Sequence, residues 1–335
     1  MSKIKSCLTI DGNYLMYKDV FILNKTRTVG QDLGALLRRD FEKTTSIYPF
    51  DKIFFVSDMG KSWRRNEYEE YKGNREKDNN IDWDLVYQDY NDFKNEIAQN
   101  KRVQMIQVNG LEGDDIIGYI INESNKLGYS NLVVAADSDL HQLLKFSKSK
   151  NYINILWNYK FSDERLYLPR NYQIFMQHIE EQVDQGMDLF DLNYDSEFLS
   201  MIDTLINRTK IKEVYYEQSL FEKILSGDKK DNIFSVIKLK NKEIDENGTG
   251  IGTTGAEKCY KLYKDTYGES IIDFKSEDYL DKATEIAAFY KKVNNRSDIK
   301  EIIRENIINN HKLLNLDGSQ MPINLKKQLQ NKIIL

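Results

Sequence analysis

Short apolar runs that end in an acidic residue set the rhythm of the first half of the chain. CLTID closes on Asp11, KIFFVSD on Asp58 and NLVVAAD on Asp137, and each is followed by residues that read as loop or helix. VQMIQV at 103–108 and INILW at 153–157 read as further strands. Between strands the apolar positions take helical spacing, over about Trp83 to Gln99 and again from about Glu112. Alternation of this kind predicts an α/β fold, a mostly parallel central sheet flanked by helices, with sites gathered at the carboxyl ends of strands. Beyond residue 157 the pattern is mixed to about 225, and 178–210 carries no readable motif. From 226 it turns helical to the end. The reading divides the chain into 1–225, an α/β core, and 226–335, a helical domain, with no long linker between them.

LEGDDIIGYI, residues 111–120, poses a problem in electrostatics. On a helix Glu112, Asp115 and Ile116 share a face, so carboxylates that should repel are set against apolar side chains. Water, a basic partner or a bound divalent cation is needed to offset that repulsion.

Composition narrows the choice. With 40% hydrophobic and 30% charged residues over 335 positions, the chain can bury a large core. No apolar stretch approaches the roughly 18 residues of a membrane span, and MSKIKSCLTI has no signal-peptide core, so a cytoplasmic location is expected. Two cysteines, Cys7 and Cys259, and three histidines exclude a disulfide framework and argue against a Cys- or His-built zinc site.

What remains is oxygen. Asp11, Asp58, Glu112, Asp114, Asp115, Asp137, Asp139, Asp228 and Asp231 stand in short motifs, and hard cations such as Mg²⁺ or Mn²⁺ prefer such ligands. Two such ions about 4 Å apart activate a water and stabilise the leaving oxygen of a phosphodiester. The competing explanation for Asp137 or Asp139 is helix N-capping. Setting these nine acids aside turns the net charge of −5 into +4, so the remaining surface is mildly basic. Around Lys61–Arg75 basic residues interleave with Trp63, Tyr68 and Tyr71, a composition suited to phosphate contact and base stacking, or to packing on the core.

TIDGN, FVSDMGKS, EYKGNR, LEGDDIIG, AADSDLHQLL, GDKKDNI and GTGIG, in that order, resemble the landmarks of the flap endonuclease or 5′-nuclease family, most closely the bacteriophage 5′-to-3′ exonucleases and phage RNase H. The resemblance covers residues 1 to about 160 and 211 to about 265. It implies a PIN-like nuclease core with a helical arch at about 60–100 and a C-terminal helical domain carrying a helix-hairpin-helix-like motif. It also implies a magnesium site of two ions, with Mn²⁺ able to substitute. Asp11, Asp58, Glu112, Asp114 and Asp137 or Asp139 would form the first group, and Asp115, Asp137, Asp139, Asp228 and Asp231 the second. Lys72 and Arg75 would lie on one face of the arch, catalytic together with Asp137 and Asp139. Lys61, Arg64, Arg65, Tyr71, Lys72, Arg75, Gly250, Gly252 and Lys258 would touch nucleic acid. Asp228 and Asp231, three apart, would face the site from a helix start. Two departures stand out, the KLKNKEIDEN stretch at 238–247 and the unmatched 178–210.

The activity so implied is a magnesium-dependent 5′ nuclease, exonuclease and flap endonuclease, removing RNA primers from RNA:DNA duplexes in viral replication or repair. Its partners would be DNA with 5′ flaps or ends and RNA:DNA hybrids, with a single-strand binding protein or sliding clamp as candidate recruiters of a monomer. Two rivals were weighed. A magnesium phosphatase of the haloacid-dehalogenase type needs a second aspartate two residues after the first, where TIDGN has Asn13. A branched-DNA binding protein without activity would not need every matched carboxylate, and all are present.

Overall fold

The computed structural model describes residues 4–26, 33–76, 78–159, 163–184, 189–237, 250–268 and 271–335. Eight strands form the sheet: β1 (Lys5–Asp11), β2 (Lys52–Val56), β3 (Val103–Ile106), β4 (Tyr129–Val134), β5 (Phe146–Ser147), β6 (Tyr152–Asn158), β7 (Arg165–Pro169) and β8 (Lys210–Val214). Their order is β3-β2-β1-β4-β6-β7-β8, with β5 added to β6. β1 pairs in parallel with β2 and β4, and the β2–β3, β4–β6 and β7–β8 pairs are parallel too. β6 pairs antiparallel with β7 and with the short β5. The mostly parallel α/β sheet expected from the alternation is therefore present. Its central strands β1, β4 and β6 are buried along nearly their whole length, which is why they read as continuous apolar runs rather than alternating ones.

The helices are α1 (Gly12–Thr26), α2 (Leu33–Thr45), the short α3 (Arg64–Glu67), α4 (Trp83–Ile97), α5 (Gly113–Lys126), α6 (Tyr172–Asp184), α7 (Leu189–Arg208), α8 (Tyr216–Ser226), α9 (Thr253–Tyr267), α10 (Glu277–Tyr290), α11 (Ser297–Leu314) and α12 (Ile323–Lys332). After β4 the chain makes only a 3₁₀ turn, Ser138–Leu143. The motif-free 178–210 stretch falls largely on α6 and α7, and Ile179, Phe198, Ile202 and Leu205 from it are buried in the sheet's core. Polar and acidic neighbours hide that apolar stripe from inspection.

The chain folds into two compact units. One comprises Met1–Ser62, Asp78–Tyr215 and Leu316–Leu335, and contains the sheet. The other comprises Trp63–Lys77 and Tyr216–Asn315. In the first, Phe41, Phe55 and Phe93 pack edge to face at 5.7–6.2 Å between centroids. In the second, Phe221 is surrounded by Tyr260, Tyr263 and Tyr279 at 5.3–6.3 Å. The 60–100 stretch expected to form one helical arch is thus divided: residues 63–76 hold the four-residue α3 and turns within the second unit, while α4 belongs to the first. No described helix is long and apolar enough to cross a membrane.

The junction from β1 into α1 leaves no room for a side chain. A Cβ on Gly12 would lie 2.2 Å from the buried Phe55 ring and 2.4 Å from the Tyr90 hydroxyl. Gly12→Ala is expected to cost about 1–3 kcal/mol through overpacking, read as a lowered urea midpoint with an unchanged slope.

Candidate metal and nucleic-acid site

Parallel pairing brings the carboxyl ends of β1 and β2 side by side, with Asp11 registered against Val56 and Asp58 two residues beyond it. The first peptide of α5 meets both acids. Gly113 N–H donates to Asp58 Oδ1 at 2.6 Å, and a Cβ on Gly113 would lie 3.3 Å from Asp58 Oδ1 and 3.6 Å from Asp11 Oδ1. Two carboxylates therefore crowd one helix N-terminus, whose dipole favours negative charge. Burial pushes the Asp11 carboxyl up to about 7, the charges of Asp58 and Asp137 add to the rise, and the Tyr14 N–H at 3.0 Å works against it. Asp137, just past β4, thus acts on Asp11 as a like charge.

The ends of β1 and β2 are tied by three residues outside the expected set. Asn13 Oδ1 accepts from Ser57 Oγ at 3.0 Å and from Asp58 N–H at 3.2 Å, and the Tyr90 hydroxyl donates to Ser57 Oγ at 3.1 Å. Asn13 sits inside TIDGN, so its position was the available signal; Tyr90, on α4, had none.

α5 begins with the three acids of LEGDDIIGYI. Glu112 N–H donates to Asp115 Oδ2 at 3.1 Å, an N-terminal cap that gives the buried Asp115 a local partner. Ser62 Oγ donates to Glu112 Oε2 at 3.1 Å, and Asp114 lies half-buried on the same turn. Asp137 Oδ1 accepts from Asp139 N–H at 2.9 Å, so the capping explanation is realised there as well. Capping accounts for one oxygen of Asp137 and does not remove its charge from Asp11.

In the second unit GDKKDN is a closed turn, where the sequence reading places Asp228 and Asp231 on a helix start. Asp228 and Ile233 exchange both backbone bonds at 2.9 and 2.8 Å. Gly227 has φ +69° with Ile233 O only 2.4 Å from where its Cβ would be, and Asn232 has φ +60°. Burial alone would raise the Asp228 carboxyl, but the Lys223 ammonium at 2.5 Å outweighs it and holds the group below its usual range.

EYKGNR wraps this turn. Lys72 N–H donates to Asp231 O at 2.9 Å, Asn74 Nδ2 to Lys229 O at 2.9 Å and Asn232 Nδ2 to Glu70 O at 3.1 Å. Asp231 accepts from Arg75 Nη2 at 2.5 Å and from the Tyr71 hydroxyl at 3.1 Å, with Lys72 Nζ 3.8 Å away. Lys72 has φ +55°, so it lies in a turn and not on the face of a helix. Arg64 is corrected outright: it is 2% exposed, donates through Nε to Leu313 O at 2.6 Å and lies against the Trp63 and Tyr71 rings, which makes it a structural residue. Trp63 and Tyr71 are buried too, so the stacking role expected for Tyr71 gives way to packing. Lys61, Arg65 and Arg75 remain exposed and Lys72 half-exposed. Gly252 caps α9, which carries the exposed Lys258, and Gly250 lies two residues earlier. Gly248 and the 238–247 stretch lie outside the described residues.

A mostly parallel sheet flanked by helices, with carboxylates at the carboxyl ends of its strands, is the architecture of a resolvase-like, PIN-type nuclease core. Residues 6–171 match the family described as 5′-3′ exonuclease, N-terminal resolvase-like domain. It is 28% identical over 174 residues to DNA polymerase I of Caldicellulosiruptor bescii, covering 48% of this chain and 19% of that protein. It is 25% identical over 170 residues to the 5′-3′ exonuclease of Buchnera aphidicola subsp. Schizaphis graminum, covering 49% and 57%. The matches thus span well under two thirds of either relative. Among solved structures, the bacteriophage T5 5′-exonuclease with bound zinc superposes with a TM-score of 0.58 at 15% identity over 98% of this chain and 99% of that one. A bacteriophage T5 flap endonuclease complex with DNA and metal ions gives 0.56 at 15% over 98% and 97%. At that identity the likeness establishes the fold.

The raised Asp11 carboxyl has a measurable sign. A group whose folded pKa, about 7, lies above its ordinary 3.8 adds stability below the ordinary value, and that contribution is lost as pH rises through the folded one. In EDTA, Asp11→Asn should therefore stabilise the protein at pH 8 by roughly 1–3 kcal/mol, with little gain at pH 4. Thermal melts across that range check it; a destabilised variant at pH 8 refutes the like-charge account of the cluster.

Proposed function

We propose that the protein is a divalent-metal-dependent 5′ nuclease, cutting phosphodiesters at 5′ ends and flaps. The observation that carries the reading is the pairing of Asp11 and Asp58 at the α5 N-terminus, where burial and the charges of Asp58 and Asp137 hold the Asp11 carboxyl above its ordinary value. A set of carboxylate oxygen donors suits Mg²⁺, with Mn²⁺ as substitute. Asp11, Asp58, Glu112, Asp114, Asp115, Asp137 and Asp139 would hold metal in the sheet unit, and Asp228 and Asp231 are the acids offered by the other. When bound, two such ions supply an activated water and stabilise the departing oxygen.

The chain's own residues do the rest. Gly113 N–H and the Asn13–Ser57–Tyr90 bonds hold the carboxylates at fixed positions before substrate arrives, the preorganisation that lowers reorganisation cost. Lys72 and Arg75 would be the cations that meet a phosphate; both lie against Asp231, so substrate would compete with that carboxylate for them. Lys61, Arg65 and Lys258 are exposed cations suited to backbone phosphates, and the α9 N-terminus with Gly250 and Gly252 suits duplex backbone. RNA:DNA hybrids, a role in primer removal during replication or repair, a phage source, and recruitment by a single-strand binding protein or clamp extend the reading from the resemblance and from the relatives' names.

The deciding experiment sets a 5′-labelled flap, a nicked duplex and an RNA-primed duplex side by side with Mg²⁺ and with EDTA. Cleavage in Mg²⁺ that EDTA abolishes is expected; persistence in EDTA, or no cleavage of any substrate, refutes the reading. Asp137→Asn combined with Asp139→Asn should abolish cutting while leaving DNA binding near or above wild type, because charge facing the phosphate is removed.

Lys72→Ala should lower the single-turnover rate on the order of 100-fold with little change in affinity, as for loss of one preorganised transition-state donor. Arg75→Ala should weaken binding and flatten its salt dependence by about one unit of slope. Loss of affinity with an unchanged single-turnover rate in Lys72→Ala would make Lys72 a binding residue only.

A further inference from the structure

Residues 316–335 return to the sheet unit after the helical one and lie along the elements that carry its acids. The contact with α5 is at backbone distance: a Cβ on Gly118 would lie 1.9 Å from Leu316 O, so only glycine fits beneath this segment. Asn122 Nδ2 donates to Asp317 O at 3.3 Å, and Leu325 of α12 packs near Gly110, just before the acidic start of α5. Lys332 Nζ donates to Gln107 O at 2.7 Å, and the Gln104 carboxamide bonds both the N–H and the carbonyl of Ile334, at 2.8 and 2.7 Å.

One side chain connects this segment to the Asp137–Asp139 turn. Gln142 is nearly buried and uses both ends of its carboxamide: Oε1 accepts from Leu316 N–H at 3.0 Å, and Nε2 donates to Asp139 O at 2.8 Å. Asp139 N–H in turn donates to Asp137 Oδ1. The chain of bonds therefore runs from the seat of residue 316 to a carboxylate that acts on Asp11.

We infer that Gln142 is a positioning residue for the metal site, transferring the seating of segment 316–335 onto the Asp137–Asp139 turn. The inference rests on the proposed reading of that turn as metal-binding. A carboxamide is required because the two partners are of opposite kind: Leu316 offers a donor and Asp139 an acceptor. Glutamate at 142 keeps the acceptor and turns a second carboxylate oxygen toward the Asp139 carbonyl. Methionine keeps the volume and loses both bonds. Gly118→Ala attacks the same linkage from the other end, lifting Leu316 without touching any acid.

The test measures Mn²⁺ binding to the full chain from the free-ion EPR signal at pH 8, at a temperature where circular dichroism shows every variant folded. Gln142→Glu, Gln142→Met and Gly118→Ala are each expected to weaken Mn²⁺ binding roughly 10-fold, the scale on which partners behind a ligand act. Ile202→Val, which loosens the core on α7, is expected to leave binding within twofold. Unchanged binding in both Gln142 variants, or an equal loss in Ile202→Val, overturns the role of Gln142. Wild-type protein that leaves the Mn²⁺ signal undiminished overturns the reading of the turn as a metal site, a result distinct from equal binding by all the proteins.

Discussion

The burial of a carboxyl beside a second carboxylate, Asp11 beside Asp58, is the constraint to which the carboxyl edge of the sheet answers. Asp11, Asp58 and Asp137 are delivered there by strands whose apolar bodies leave no freedom of register. Asp11 is the last residue of β1, and a shift of that strand by one residue would turn it to the opposite face. The surroundings supply what protein can supply without a cation: the α5 N-terminus, the Gly113 N–H, the Tyr14 N–H and the asparagine between β1 and β2. These partners include peptide and amide dipoles, and the Asp11 carboxyl still stays raised, chiefly by its burial and then by the charge of Asp58.

In the helical unit Asp228 is held by Lys223 and Asp231 by Arg75 and Tyr71, so a full cationic partner stands beside each. A side chain with both a guanidinium and a phenol upon it is already satisfied, and any cation or phosphate that engages this turn does so by exchange. The wrapping of GDKKDN by EYKGNR also explains why two motifs about 150 residues apart in sequence act on one carboxylate.

Strands, acids and order of elements were legible because each rests on a local rule: an apolar run of strand length, closed by a polar residue at its carboxyl end. The acid cluster was legible for the same reason. What escaped depends on contacts distant in sequence. Arg64 looks like any basic residue in a charged stretch until Leu313 O takes its Nε–H. EYKGNR reads as helix, yet Lys72 adopts φ +55° because the turn it embraces dictates its path. Ile179, Ile202 and Leu205 were hidden in an acidic stretch, and Gln142 has nothing in its neighbourhood of sequence to mark it.

The order in which the elements leave the ribosome gives the return of residues 316–335 a further meaning. The acid-bearing strands are made before the helical unit, and the segment lying against Gly118 and Gln142 after it. The bonds from Leu316 to Gln142 and from Asn122 to Asp317 join residues 174 and 195 apart in sequence, so they close only once the whole helical unit has been made.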